Sequence, residues 1–182
     1  MVRSIVLLCL ALTVLTGCFR VQNGDDVTRV RQGMGASVQP AVTGLYWKTS
    51  PDGVVRPSDP VVLVRKILRD GRPAYAVNSS FVYAFPAGGN RYFFELVDKG
   101  ELTSADFSTW SVADVQGGRI VVYGAGCTNV SENMRKMIGL VPDGQSNCTV
   151  RDATTLKNGL TMAVQTSKPA NVYVLKQQLP DF

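Results

Sequence analysis

From residue 41 onward the chain breaks into short runs of alternating apolar and polar residues, separated by clusters of Gly, Pro, Asp and Asn. A period of two is the signature of a half-buried strand, and those clusters are turn formers. Residues 42–49 make the first run and stop at Ser50-Pro51-Asp52-Gly53. Residues 61–68, 74–78 and 81–85 follow, with turns at 69–73 and 86–90. In residues 91–98, Tyr92, Phe94 and Leu96 share one face. Residues 110–115 and 119–124 flank Gln116-Gly117-Gly118, a hairpin signal. The pattern then changes period. Ser131 can cap a helix to Ile138 with Met134, Met137 and Ile138 on one face, and Gly139 can end it. A short strand at 148–151 precedes a second helix capped by Asp152, with Leu156, Leu160, Ala163 and Val164 at helical spacing. Gly159 inside that helix costs about 1 kcal/mol of propensity. Residues 171–177 form a last strand.

These elements predict one mostly β or α+β domain over residues 41–182. It is an antiparallel meander able to curl into a barrel, with two short C-terminal helices and a final strand. Residues 18–40 lack sustained periodicity and read as a flexible tether, with Asp25-Asp26 solvated on it.

The N-terminus has a different pattern. Met1-Val2-Arg3 is followed by an apolar stretch over residues 4–14, too short for the ~20 apolar residues that span a bilayer. Leu15-Thr16-Gly17-Cys18 comes next. This sequence resembles the lipobox of bacterial lipoproteins: Leu, a small residue, Gly or Ala, then the Cys that receives lipid. The resemblance covers residues 1–18 only. It implies an export signal over residues 1–17, acylation of Cys18, and a bilayer as the partner reached through those acyl chains. Phe19 stands where an Asp favours inner-membrane retention in enteric bacteria, which implies the outer membrane, facing the periplasm.

Charge and composition narrow the chemistry. The full chain carries 19 basic and 14 acidic residues. Loss of Arg3 with the signal leaves 18 against 14, or +4, a modest excess that calls for no nucleic-acid partner. Histidine is absent, so no His-based nucleophile activation and no His-ligated metal site is available. Of the four cysteines, Cys9 leaves with the signal and Cys18 takes lipid, so Cys127 and Cys148 remain. In an oxidising compartment an even remainder reads as a disulfide, closing a loop of about 20 residues worth roughly 3 kcal/mol. The alternative is a reactive thiol pair, although there is no C-x-x-C.

The remaining motifs are compared with ordinary structural roles. Gly124-Ala125-Gly126 has Asn129 where a dinucleotide fingerprint needs a third glycine, and reads as a turn presenting Cys127. Glu95, Asp98, Glu101 and Asp106 are the densest acidic stretch, read as a solvated strand end and loop rather than a calcium site. Arg65, Lys66, Arg69 and Arg72 read as a charged strand edge. Lys99 and Lys136 are the lysines near serines. Tyr46, Trp47, Tyr92, Phe94 and Trp110 are the candidate ligand-lining aromatics. Gly44-Leu45-Tyr46-Trp47 resembles the Gly-x-Trp opening of lipocalins over four residues, in a different order; that likeness implies a carrier of a small apolar ligand.

The expectation is therefore a non-enzymatic envelope lipoprotein without cofactor or metal, presenting a β-rich domain to an envelope protein or the cell wall. A lipocalin-like carrier and a carboxylate-based enzyme cleaving cell-wall glycan are the alternatives.

Overall fold

The computed structural model describes residues 19–22, 24–98, 107–143 and 147–181. Eight antiparallel strands close into a barrel: β2 (Gly44–Thr49), β3 (Val61–Arg69), β4 (Arg72–Val77), β5 (Ser80–Gly88), β6 (Arg91–Asp98), β7 (Phe107–Gln116), β8 (Arg119–Tyr123) and β11 (Pro169–Gln178). Consecutive strands from β2 to β8 pair as neighbours, and β11 closes the ring between β8 and β2. A smaller flap continues from β7, through β1 (Phe19–Gln22) and β10 (Asn147–Thr149) to the free edge β9 (Val141–Asp143). Three helices complete the domain: α1 (Gly24–Met34), α2 (Glu132–Ile138) and α3 (Ala153–Thr166).

Period-two alternation sends side chains to two separate cores. Inside the barrel, Tyr46, Val64, Tyr75, Ala84, Ala113, Val115 and Ile120 are buried, and Val77, Val82, Tyr92, Phe94, Val122, Tyr173 and Leu175 pack against them. Every strand of the ring contributes. Ala84 and Ala113 leave room for the rings of Tyr46 and Tyr75, the alternation of small and large that fills a narrow barrel. The outward face of β5 to β7 also carries apolar side chains: Tyr83, Phe85, Phe93, Val97, Trp110 and Val112. They meet Phe19 and Val21 of β1, Val27, Val30 and Met34 of α1, and Leu156, Leu160, Ala163 and Val164 of α3.

The described residues between 19 and 40 depart from the tether expected over residues 18–40. Val27, Val30 and Met34 recur at helical spacing, with Asp25 and Asp26 in the first turn and Arg31 in the last, where they suit the helix dipole. Thr28, Arg29 and Gln32 mask that stripe in a hydropathy reading. Asp26 accepts a hydrogen bond from Arg29 at 3.2 Å. After α1 the chain wedges into the seam where β4 and β5 part. Val38 N–H donates to Ala84 O at 2.8 Å, Ser37 Oγ donates to Pro73 O, and Gln39 Nε2 donates to Ile67 O and Ala74 O. The Tyr75 hydroxyl then accepts from Ala41 N–H at 2.6 Å and donates to Ala41 O at 3.0 Å, tying this segment to the barrel interior.

The C-terminal helices lie close to expectation. Asp152 caps α3, accepting from Thr155 N–H at 2.8 Å, and Gly139 ends α2 at φ 74°. Met137 departs from the face assigned to it: it is 68% exposed, while Met134 and Ile138 lean on the core. Cys127, in a 3-10 turn after Gly126, is bonded to Cys148 of β10, with Cα atoms 5.2 Å apart. Gly159 also has a reason. A Cβ there would lie 2.7 Å from Phe19 Cε1 and 3.2 Å from Leu140 Cδ1. Packing against β1 therefore outweighs helix propensity, and Gly159→Ala is expected to lower stability by about 1–3 kcal/mol through overpacking. Urea denaturation followed by circular dichroism measures this; a stabilised variant would show that Phe19 moves aside freely.

Candidate functional site

The most unusual chemistry lies on the outer face of the barrel, beneath α1. Glu95 is fully buried, where a solvated strand end was expected. Alternation along β6 puts Tyr92 and Phe94 inside the barrel, so Glu95 must face the second core. Arg31, from the segment expected to be a tether, meets it in a two-pronged contact: Arg31 Nε donates to Glu95 Oε1 at 2.8 Å and to Oε2 at 2.9 Å, and Nη2 lies 2.8 Å from Oε1. Trp110 faces Glu95 across the β6–β7 pair, and its indole N–H donates to Ser108 Oγ at 2.9 Å. Burial pushes the Glu95 carboxyl above the ordinary glutamate range, while hydrogen bonds from Arg31 and Ser108 and the charge of Arg72 pull against it. Tyr83 stacks below Arg31, its ring centroid 5.5 Å from the guanidinium carbon. A recess of roughly 160 Å³ opens beside the pair, lined by Thr28, Arg31, Asp70, Arg72 and Tyr83.

A second polar cluster sits at the turn end of the same face. Arg91 holds Asp114 with both prongs, at 2.8 and 3.0 Å. The Tyr123 hydroxyl donates to Asp114 Oδ2 at 2.8 Å. Those hydrogen bonds, Arg91 first, hold the Asp114 carboxyl below the ordinary aspartate range. The cluster borders an open groove of about 550 Å³ with Ala87, Gly88, Asn90 and Gln116.

The two carboxylates do not face one another. Arg91 opposes Asp114 and Glu95 opposes Trp110 in the same ladder, a four-residue offset worth about 13 Å at ~3.4 Å per residue. The residues between them are packed β-structure rather than a cleft. Among the described residues no group of three or more His, Cys, Asp or Glu side chains could hold a metal ion.

The candidate aromatics are not brought together. Tyr46, Tyr92 and Phe94 point into the filled barrel. Trp47 lies outside, with Lys176 Nζ 4.2 Å from its ring centroid. Trp110 belongs to the second core, its ring centroid 5.4 Å from that of Phe85. The basic stretch is also divided: Lys66 pairs with Asp181 at 3.0 Å, Arg69 stacks on Phe81 at 4.0 Å, Arg72 lines the recess and Arg65 is exposed. Lys136 pairs with Glu132. Cys18, Lys99, Glu101 and Asp106 lie outside the described residues, as does the Asp98 side chain. The Arg31–Glu95 pair escaped sequence reasoning because its partners are 64 positions apart. The outward parity of Glu95 between Phe94 and Leu96 was the one available signal.

The fold and these clusters define a closed, side-chain-filled antiparallel barrel with a helical layer on one flank. No family model, no curated protein and no solved structure matches the chain.

Removing Arg31 would leave Glu95 unpaired in a dry site, at a cost of about 3–5 kcal/mol, whereas Arg31, 21% exposed beside the recess, keeps access to water when Glu95 is removed. Arg31→Met is expected to destabilise by that order and Glu95→Met by less. The double variant should recover much of the loss, because two apolar side chains of similar volume suit the surrounding core. A double-mutant cycle by urea denaturation checks this, and additive losses would show that the two residues act independently.

Asp114 gives a pH signature. Its folded-state pKa is depressed, so its contribution is present above the ordinary aspartate value and is lost as pH falls through the depressed one. Glu95 has the opposite sign: its contribution declines as pH rises from the ordinary value through the raised one. Asp114→Asn is therefore expected to flatten the acid limb of stability against pH, read from thermal midpoints below pH 4. An unchanged limb would place the linkage elsewhere.

Proposed function

We propose that this chain is a lipid-anchored envelope protein whose barrel is a rigid body that presents its surface, rather than a container or a catalyst. The observation that carries the reading is the filled interior: side chains from all eight ring strands occupy it, including five aromatic rings from Tyr46, Tyr75, Tyr92, Phe94 and Tyr173. A carrier of an apolar ligand needs empty volume where those rings stand, typically some 300–1,000 Å³. The two recesses that flank Arg31 and Arg91 are polar and lie outside the barrel. Each buried or half-buried carboxylate there is held by an arginine, which suits a structural role better than proton transfer.

The anchoring half of the proposal rests on Leu15-Thr16-Gly17-Cys18 and the apolar run before it. No helix of the described residues is long and apolar enough to cross a membrane; acyl chains on Cys18 would contribute about 0.8 kcal/mol for each buried methylene. The partner presented to is an envelope protein or the cell wall. Cys18→Ser is expected to abolish incorporation of labelled fatty acid and to leave the precursor uncleaved; a variant processed and membrane-bound as before would refute the anchor. The presentation half has its own measurement. Native mass spectrometry of the protein isolated from cells is expected to show the acylated chain with no further ligand. A stoichiometric apolar ligand, lost on Ala84→Leu or Ala113→Leu, would make the barrel a carrier instead.

A further inference from the structure

Acylation of Cys18 would have a geometric consequence. Cys18 is joined by one peptide unit, about 3.8 Å between Cα atoms, to Phe19, which is completely buried. Phe19 is not at a loose end. Its strand β1 is paired on both sides, antiparallel to β7 and parallel to β10, and Phe19 Cε1 is the atom that Gly159 of α3 makes room for. Cys148, the register partner of Phe19, is in turn fixed by the disulfide to Cys127. Acyl chains on Cys18 would thus leave the domain from a point rigidly tied to its core, with no spacer.

The flap next to that point carries an apolar patch. Two strands beyond β1, about 10 Å away at ~4.8 Å per strand, lies the free edge β9. Val141 there is 61% exposed and Met137 at the end of α2 is 68% exposed. Val141 opposes Thr149, which itself opposes Arg20, so Val141 and the strand that follows Cys18 belong to one small sheet, and Met137 precedes Val141 by four residues. This edge is ill suited to another strand: β9 is three residues long with Pro142 at its centre, and short strands and prolines both discourage edge pairing. Side chains of this kind gain more from a lipid surface than from a second copy adding to the sheet. The other large exposed apolar residues, Val54, Val55, Val61 and Leu68, lie on β3 and the loop before it. In the closed ring β3 stands four strands from β7 by either route, so Val61, at the start of β3 opposite Trp47, is on the far side of the barrel, whereas the other end of β3 reaches the second core at Ile67 and the loop before β3 meets Arg119 of β8 at Gly53.

We propose that the acylated domain lies directly on a phospholipid surface, with Met137 and Val141 in the headgroup region and Val61, at the start of β3, facing away from it. This rests on the reading of Cys18 as the lipidated residue. The test uses the full chain, purified with its acyl chains and reconstituted in vesicles of phosphatidylethanolamine and phosphatidylglycerol. Intact mass reports acylation, and unreduced peptide mass reports the Cys127–Cys148 link as a check on folding. Nitroxide labels on Met137→Cys, Val141→Cys and Val61→Cys report exposure to oxygen, enriched in lipid, against a water-soluble nickel chelate. At 137 and 141 the oxygen-to-nickel ratio is expected to be at least several-fold higher than at 61. Inserting about 12 Gly and Ser residues between Cys18 and Phe19, a reach near 20 Å, is expected to bring all three labels to the aqueous ratio with acylation intact. Acylated protein whose labels at 137 and 141 match that at 61 would overturn the docking and leave the anchor standing. Lipid contact that survives the insertion would overturn the role of the short connection. Absence of the acyl mass would remove the anchor and the docking together.

Discussion

Three neighbouring strands of this barrel are apolar on both faces, and a closed barrel has only one inside. Strands β5, β6 and β7 send Ala84, Phe94 and Ala113 inward and Phe85, Phe93 and Val112 outward. Roughly 25 cal/mol is lost for each Å² of apolar surface left in water, so the outward face needs a cover of its own. The rest of the molecule answers that need. The segment before β2 supplies β1 and α1, and the long excursion between β8 and β11 supplies α2, α3 and the flap. The disulfide links two pieces of that excursion, at Cys127 and Cys148, so that the cover holds together at its rim.

Glu95 makes the cover specific. An apolar surface accepts many placements of an amphipathic helix, because burial has no direction. A buried carboxylate accepts very few, and Arg31 must lie across it with both nitrogens engaged. A half-turn error in α1 would leave Glu95 without its guanidinium and cost more than the packing error alone. Gly33 acts in the same sense from the other side: a Cβ there would meet Ala153 Cβ at 2.5 Å, so α1 and α3 lie closer than larger residues allow. Lys157 Nζ then donates to Gly33 O at 2.8 Å, fixing the two helices along their length.

What was legible in the sequence follows from this division. The barrel strands could be read because alternation and turn chemistry are local: Asp70-Gly71 and Gly117-Gly118 take the positive φ that tight hairpins need. Asp152 and Gly139 were legible as helix ends for the same reason. Closure of the ring was less so, since β11 must find both β2 and β8 across long separations. Helix α1 was missed because its three apolar residues are outnumbered by Thr, Arg and Gln, and their stripe has meaning only against Trp110 and Phe93. Glu95 was assigned to water on the general habit of carboxylates, yet the parity that places Phe94 inside the barrel also sends Glu95 into the second core. The candidate aromatics were real core residues for the most part, but composition cannot tell which of two cores each one serves.

The order in which the ring is completed has a kinetic side. β11 is the last of the described strands and bridges β2 and β8, while β1, among the first residues of the described chain, waits for β7 and β10, some ninety and more positions later. Contacts of such long separation slow folding, because the loop must close before anything rewards it. No N-terminal fragment is a smaller version of this fold. A nascent chain carries two unpaired edges until the ten residues of β11 arrive, and in that interval it depends on being kept apart from its own kind.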